Sequence, residues 1–87
     1  MNNLYRIAKR LHRQHQLPIY TCSEIMPGIE PEHAMCYVVD NVGGRPDFNG
    51  QRVNTSSICE IHESRYPAFN AHVKMIRTHN SIYVMHA

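Results

Sequence analysis

The chain has 87 residues, of which 43% are hydrophobic and 18% are charged, and its formal net charge at pH 7 is +2. This length predicts a single domain over residues 1–87 and excludes a doubly wound sheet or a TIM barrel, which need far more chain. The hydrophobic content is typical of a folded globule rather than a disordered tail, and the small net charge excludes a histone-like polycation.

The first predicted element is an amphipathic helix over residues 3–16. Its apolar positions fall on one stripe and are Leu4, Ile7, Ala8 and Leu11. Asn2 or Asn3 suits the N-cap position of this helix. The helix should end before Pro18, because the residue that precedes a proline disfavours helical dihedral angles.

The opposite stripe of this helix is cationic and has no neighbouring acid. Its members follow i, i+3, i+4 and i+7 spacing and are Arg6, Lys9, Arg10 and Arg13, and no acidic residue precedes Glu24. A helix face that only contacts water usually mixes both signs and gains i,i+4 ion pairs, whereas the like charges here repel. We therefore predict that this face, with His12 beside it, binds nucleic acid or an acidic surface of a nucleic-acid-handling protein complex. No membrane partner is expected, because the apolar stripe is narrow and lacks Trp and Phe.

The middle of the chain predicts three strands, over residues 17–25, 34–40 and 53–62. Residues 41–51 lie between the last two and are irregular, because they contain two adjacent glycines, a proline and an Asn-Gly pair. A connection of this length in a small domain is more often functional than filler. We predict a second contact surface there, formed by Arg45, Phe48 and Arg52.

Residues 67–80 allow two interpretations. Pro67 suits the first turn of a helix, and Phe69, Val73 and Ile76 have helical spacing, so we favour a helix that ends at Asn80. The competing interpretation is a strand over residues 72–78 that turns at His79-Asn80. With a last strand at 81–86, the order αβββαβ predicts an α+β fold: a mostly antiparallel sheet of three or four strands with two helices on one face.

The cysteines and histidines raise further possibilities. An odd number of cysteines, three, predicts reduced thiols. Cys59-x-x-His62 has the spacing of half a zinc site, but no second close pair accompanies it, so we expect no metal. No glycine-rich phosphate motif is present, and we expect no cofactor. Glu60, His62 and Arg77 offer the residue types of a small metal-independent ribonuclease, which remains an alternative to a non-enzymatic binding protein with no assigned catalytic residue.

The last fifteen residues, VKMIRTHNSIYVMHA, resemble the closing strands of small bacterial toxin ribonucleases, in which a basic residue precedes a short turn and an apolar strand. The resemblance covers this segment alone and carries no residue roles. Size and uneven charge also suit small phage-encoded inhibitors, including anti-CRISPR-like proteins. We predict a cytoplasmic regulator or inhibitor, because no apolar run suits a signal peptide or a membrane span. The other alternative is a homo-oligomeric structural protein, for instance a homodimer, with subunit contacts through the long loop of residues 41–51 and through Tyr20, Tyr37 and Tyr83.

Overall fold

The computed structural model describes residues 3–87, which form one helix, six strands and two single-turn 3₁₀ helices. The helix and strands are α1 (Asn3–His15), β1 (Ile19–Pro27), β2 (Ala34–Val42), β3 (Arg52–Asn54), β4 (Ile58–Tyr66), β5 (Ala71–Thr78) and β6 (Ile82–His86). The 3₁₀ turns are Pro46–Phe48 and Pro67–Phe69. The helix in this part of the chain is too short and too polar to cross a membrane.

Helix α1 confirms the predicted apolar stripe, since Leu4, Ile7, Ala8 and Leu11 are all buried. These side chains pack against a matching apolar face of the sheet, which includes Ile19, Val73, Ile82 and Val84. The helix ends at His15, and Gln16 follows in a left-handed conformation with φ 59°. Asn2 lies outside the described residues, and the side-chain amide of Asn3 donates a hydrogen bond of 2.9 Å to the Phe69 carbonyl.

The sheet has the strand order β3-β2-β1-β6-β5-β4. Strands β1, β2 and β3 form one antiparallel meander, and β4, β5 and β6 form another. The two meanders meet where β1 pairs with β6 in parallel, with Ile19, Tyr20 and Thr21 opposite Ile82, Tyr83 and Val84. The sheet is therefore mixed, and each of its halves is built from neighbouring segments of the chain.

A short connection forces this sheet to curl. Strands β3 and β4 lie on opposite edges, yet residues 55–57 alone join them. The edges of a flat six-stranded sheet would lie about 24 Å apart, whereas the chain from Asn54 to Ile58 reaches at most about 14 Å. The Ile58 amide donates to the Glu32 carbonyl at 2.7 Å, and the Thr55 amide donates to the Ala34 carbonyl at 2.9 Å. These bonds bring the start of β4 against the loop that joins β1 to β2.

The curled sheet has two apolar faces. Its convex face carries α1, and its concave face encloses a second cluster with Tyr20, Cys36, Val38 and Ile76 at its centre. The Tyr20 ring stacks on Tyr83 with ring centroids 5.2 Å apart and contacts Phe48 at 5.3 Å. The two central strands, β1 and β6, therefore contain runs of consecutive residues that are buried on both faces of the sheet.

The predicted helix over residues 67–80 is wrong, and the competing strand is what forms. After the 3₁₀ turn, Asn70 adopts a left-handed conformation with φ 48°, and β5 begins at Ala71. Strand β5 lies between β4 and β6, and both of its faces are covered. Val73 and Met75 are buried on the face that packs against α1, while Ile76 and Thr78 are buried on the other face. A strand that is buried on both faces does not alternate between apolar and polar residues. Its apolar positions can therefore match the 3.6-residue period of a helix.

The predicted strand count and helix count are also wrong. Residues 53–62 form parts of two strands rather than one, because the chain leaves β3 at Asn54 and enters β4 at Ile58. Together with β5, this split gives six strands where three or four were expected. Within residues 3–87 a single α-helix covers the sheet, so the order αβββαβ does not hold, although the α+β class does.

Candidate nucleic-acid interface

The four predicted cations of α1 line one shallow groove of about 300 Å³ together with Phe69; this set is called the α1 groove and comprises Arg6, Lys9, Arg10, Arg13 and Phe69. The guanidinium carbons of Arg6 and Arg10 lie 5.0 and 4.9 Å from the centre of the Phe69 ring. Two flexible cations therefore share one aromatic support, which limits the conformations that each side chain can adopt.

The position of Phe69 is fixed by its surroundings. The ring packs partly against the apolar cluster beneath α1, and the Phe69 carbonyl accepts the hydrogen bond from Asn3. The left-handed Asn70 turns the chain sharply after it, and the Asn70 amide donates to the Pro67 carbonyl at 3.1 Å. The turn between β4 and β5 is thus attached to the first turn of α1, and it presents Phe69 to the cations.

The α1 groove keeps its positive charge unpaired. Among residues 3–87 the ion pairs are Arg45 with Asp47 and two histidine–glutamate pairs on β4 and β5, and none of them involves a cation of α1. All four side chains are exposed. Charge repulsion between like neighbours on a helix is unfavourable, so a polyanion that binds here removes a cost that the free protein carries.

The second predicted contact surface has a different character. Arg45 forms two hydrogen bonds with Asp47, at 3.0 and 3.3 Å, and its guanidinium lies 4.8 Å from the centre of the Phe48 ring. Phe48 is partly buried against Tyr20, so its ring is not presented as an open stacking platform. Arg52 is exposed on the edge strand β3, opposite Tyr37. At this second surface the charge of Arg45 is neutralised by Asp47, and Arg52 is the remaining cation available to an anionic partner.

His12 belongs to the packing of the loop against the helix. It is partly buried, and its Nδ1 lies 2.8 Å from the Leu17 carbonyl oxygen. Gly43 of the β2–β3 loop lies directly against its ring. The structure therefore groups four of the eight predicted contact residues in the α1 groove, and it gives His12, Arg45 and Phe48 intramolecular contacts.

A second depression of about 210 Å³ lies between the last turns of α1 and the helix-facing side of β4 and β5. This α1–β4 cleft is lined by Leu11, Gln14, His15, Glu60, His62, Ser64, Tyr66, Met75 and Arg77. Even-numbered residues of β4 share one face, since side chains alternate along a strand. Their register places Arg77 opposite Glu60 and Met75 opposite His62. The cleft thus unites the three residues that were named as ribonuclease-like with two that sequence reasoning missed, Gln14 and His15.

Contacts within the α1–β4 cleft orient His62. Its Nε2 lies 3.5 Å from Oε1 of Glu60 and 3.2 Å from Sδ of Met75. At the rim next to the α1 groove, burial raises the pKa of the Tyr66 hydroxyl, and the nearby charge of Arg10 opposes that rise. Arg10 lines the α1 groove and the next residue, Leu11, lines the cleft, so the two depressions are neighbours along α1.

The remaining candidate residues do not assemble around these depressions. Tyr20 and Tyr83 are buried in the concave face, so they are not available for the subunit contacts proposed from the sequence, whereas Tyr37 is exposed. Cys22 and Cys36 are buried, and a hydrogen bond to Cys36 together with burial raises the pKa of the Cys22 thiol. Cys59 is exposed on the edge strand β4, whereas Cys22 and Cys36 are buried on β1 and β2 in the other half of the sheet.

No family model matches the chain, and no curated protein or solved structure is significantly similar to it. Its function must therefore be inferred from the placement, charge and chemistry of its own side chains.

Proposed function

We propose that the protein binds nucleic acid through the α1 groove and acts as a small regulator or inhibitor of proteins that need the same phosphates. The observation that supports this most directly is the pair of guanidinium groups on Phe69, which are exposed and have no acidic partner among the described residues. Arginine is well suited to phosphate recognition, because its planar donors match two phosphate oxygens. A cytoplasmic location agrees with three unpaired cysteines.

The spacing of the cations favours a regular polyanion over an acidic protein surface. Arg6 and Arg13 are separated by a rise of about 10 Å along the helix, and one strand of a duplex presents a phosphate about every 3.4 Å of its axis. The groove contains one aromatic ring, which is occupied by its own arginines, and it offers no deep apolar pocket of the kind that anchors protein partners. We therefore expect backbone contacts and no reading of base sequence.

The number of cations sets the expected salt dependence. Four phosphate contacts predict a slope of log affinity against log salt of about −3.6 on duplex and about −2.8 on single strands. Removal of three contacts should leave a slope of about −0.9 on duplex and weaken binding about a hundredfold at 0.15 M salt. These values separate binding through the groove from a general effect of net charge.

The test is fluorescence anisotropy with labelled oligonucleotides over a salt series. The triple variant Arg6→Gln, Arg10→Gln, Arg13→Gln should lose both affinity and salt dependence, since glutamine preserves helix propensity and removes the charge. The matched control, Arg45→Gln, Arg52→Gln, Arg65→Gln, loses the same number of charges from exposed positions elsewhere. Circular dichroism of both variants verifies that they remain folded.

Equal loss of affinity in the two triple variants would overturn the proposal, because binding would then follow net charge and not the groove. Undiminished affinity in the first variant would overturn it as well.

A further inference from the structure

We propose that the α1–β4 cleft cleaves RNA without a metal ion, by attack of a ribose 2′-hydroxyl on the adjacent phosphate. The proposal rests on nucleic-acid binding by the neighbouring α1 groove, which would bring the strand to the cleft. The observation behind it is the convergence of two imidazoles, a carboxylate and a guanidinium on one small depression. They come from separate elements, His15 from α1, Glu60 and His62 from β4 and Arg77 from β5.

The reaction requires three groups from the protein: a general base, a general acid and a cation. A base accepts the proton of the 2′-hydroxyl while its oxygen forms a bond to phosphorus. An acid donates a proton to the 5′-oxygen as the bond between that oxygen and phosphorus breaks. A cation stabilises the additional negative charge on the phosphate oxygens in the transition state. The products are a 2′,3′-cyclic phosphate and a 5′-hydroxyl, and the step consumes no water, oxidant or other reactant.

The two histidines reach the cleft from different elements, His62 from β4 and His15 from the last turn of α1. In-line displacement needs the base and the acid on opposite sides of phosphorus, and a phosphate held between α1 and β4 would have one imidazole on each side. We assign His62 as the base, because Glu60 lies 3.5 Å from its Nε2 and would stabilise the imidazolium that forms when it takes up the proton. His15 is then the acid, and Arg77 stabilises the transition state.

The strand can pass from the groove to the cleft without leaving the surface of α1. Arg10 lines the α1 groove, and Tyr66 lines the cleft. Leu11 and Gln14, which follow Arg10 along the same helix, also line the cleft. Phosphates on Arg6 and Arg10 would therefore place the next nucleotides over His62 and Arg77.

The test uses a 5′-labelled single-stranded RNA with purified protein and excess EDTA, analysed by denaturing gel electrophoresis and mass spectrometry. The wild type should release fragments that end in 2′,3′-cyclic phosphate. His62→Ala and His15→Ala should each slow cleavage by about 10²- to 10⁴-fold. His79→Ala is the matched control, since this exposed histidine lies in the turn between β5 and β6 and outside the cleft. His62→Gln is a second variant, whose amide reaches the position of Nε2 but cannot take up the proton, so it should be as slow as His62→Ala.

Binding of a 2′-O-methyl RNA of the same sequence, which lacks the attacking hydroxyl, is measured alongside cleavage. The wild type should bind it through the α1 groove, and circular dichroism verifies that the cleft variants remain folded. Binding without any cleavage by the wild type would overturn the cleft proposal and leave the binding proposal intact. Cleavage that is equal in all histidine variants would overturn it too, as the sign of a contaminating nuclease. Absence of binding by the wild type would overturn the proposed function itself.

Discussion

Replacement of Gly43 by alanine should destabilise the fold through two separate effects. Gly43 has a φ of 70°, in the left-handed region that residues with a Cβ rarely adopt. An added Cβ would also overlap the His12 ring and come within 3.0 Å of both ring nitrogens. The ring is held in place by the contact of 2.8 Å between its Nδ1 and the Leu17 carbonyl oxygen, so a shift of the ring breaks this contact.

The expected loss is about 2 to 3 kcal/mol in the free energy of unfolding. The left-handed backbone costs alanine about 1–2 kcal/mol, and loss of the His12 hydrogen bond costs about 0.5–1.5 kcal/mol. Gly50 is the matched control, because its φ is 76° and nothing lies within 4 Å of an added Cβ. Gly50→Ala should therefore cost only the backbone contribution, about 1–2 kcal/mol.

Urea denaturation followed by circular dichroism measures both losses, and thermal melting should show a midpoint about 4–8 °C lower for each kcal/mol. Gly43→Ala should be the more damaging substitution by about 1 kcal/mol. In a His12→Ala background the two glycine substitutions should become equivalent. If Gly43→Ala and Gly50→Ala are equally harmful with His12 present, the inferred contact between the loop and the helix is wrong.

Two further predictions concern the concave face. Burial raises the pKa of Tyr83 from 10.0 to about 12, so the unfolded chain releases this proton first as the pH rises. The stability that the neutral hydroxyl contributes is complete below about pH 10 and is lost towards about pH 12, by about 2–3 kcal/mol. Urea titrations across this range should show the fall, and Tyr83→Phe should make it shallower; an unchanged slope would contradict the burial of the hydroxyl. A thiol reagent should modify Cys59 but not Cys22 or Cys36 in the folded protein, and all three after denaturation. Mass spectrometry counts the labels, and fast modification of a second thiol in the native state would show that the interior is accessible.

The first helix was predictable because the spacing of residues within α1 alone determines its apolar and cationic faces. The buried apolar residues of α1 all face the sheet, so the spacing of apolar residues in the sequence matches the 3.6-residue period of the helix. The cations are placed on the opposite face by the same geometry, and four members of the α1 groove follow from the sequence alone. Strand β2 was predictable for a similar reason, because residues 34–40 are rich in β-branched and aromatic side chains.

Strand β5 was not predictable in this way, because it is buried on both faces, against α1 on one side and in the concave cluster on the other. Its identity depends on β4 and β6, which pair with it on either side. The break after Asn54 has a local signal, the polar run Asn54-Thr55-Ser56-Ser57, but the alternating residues around it hide that signal. The sequence of this polar run does not indicate that it joins strands at opposite edges of the sheet.

The candidate sites also combine residues that local sequence predicts with residues that only tertiary contacts bring together. Phe69 contributes to the α1 groove only because the turn before β5 is attached to Asn3. His15 and His62 are distant in sequence and line one depression only because α1 packs on the face to which β4 contributes. Local periodicity identifies which face of an element is charged, whereas tertiary contacts decide which faces become neighbours.

The parallel pairing of β1 with β6 has a consequence for co-translational folding. The meander of β1, β2 and β3 can form as soon as it leaves the ribosome, since its contacts are local. Until β6 has been made, however, β1 presents an unpaired edge that another nascent chain can occupy. A product truncated after β5 would keep this edge open, so premature termination should yield aggregates rather than a smaller folded protein. Strand β6 therefore protects the edge of β1 from pairing with a second chain.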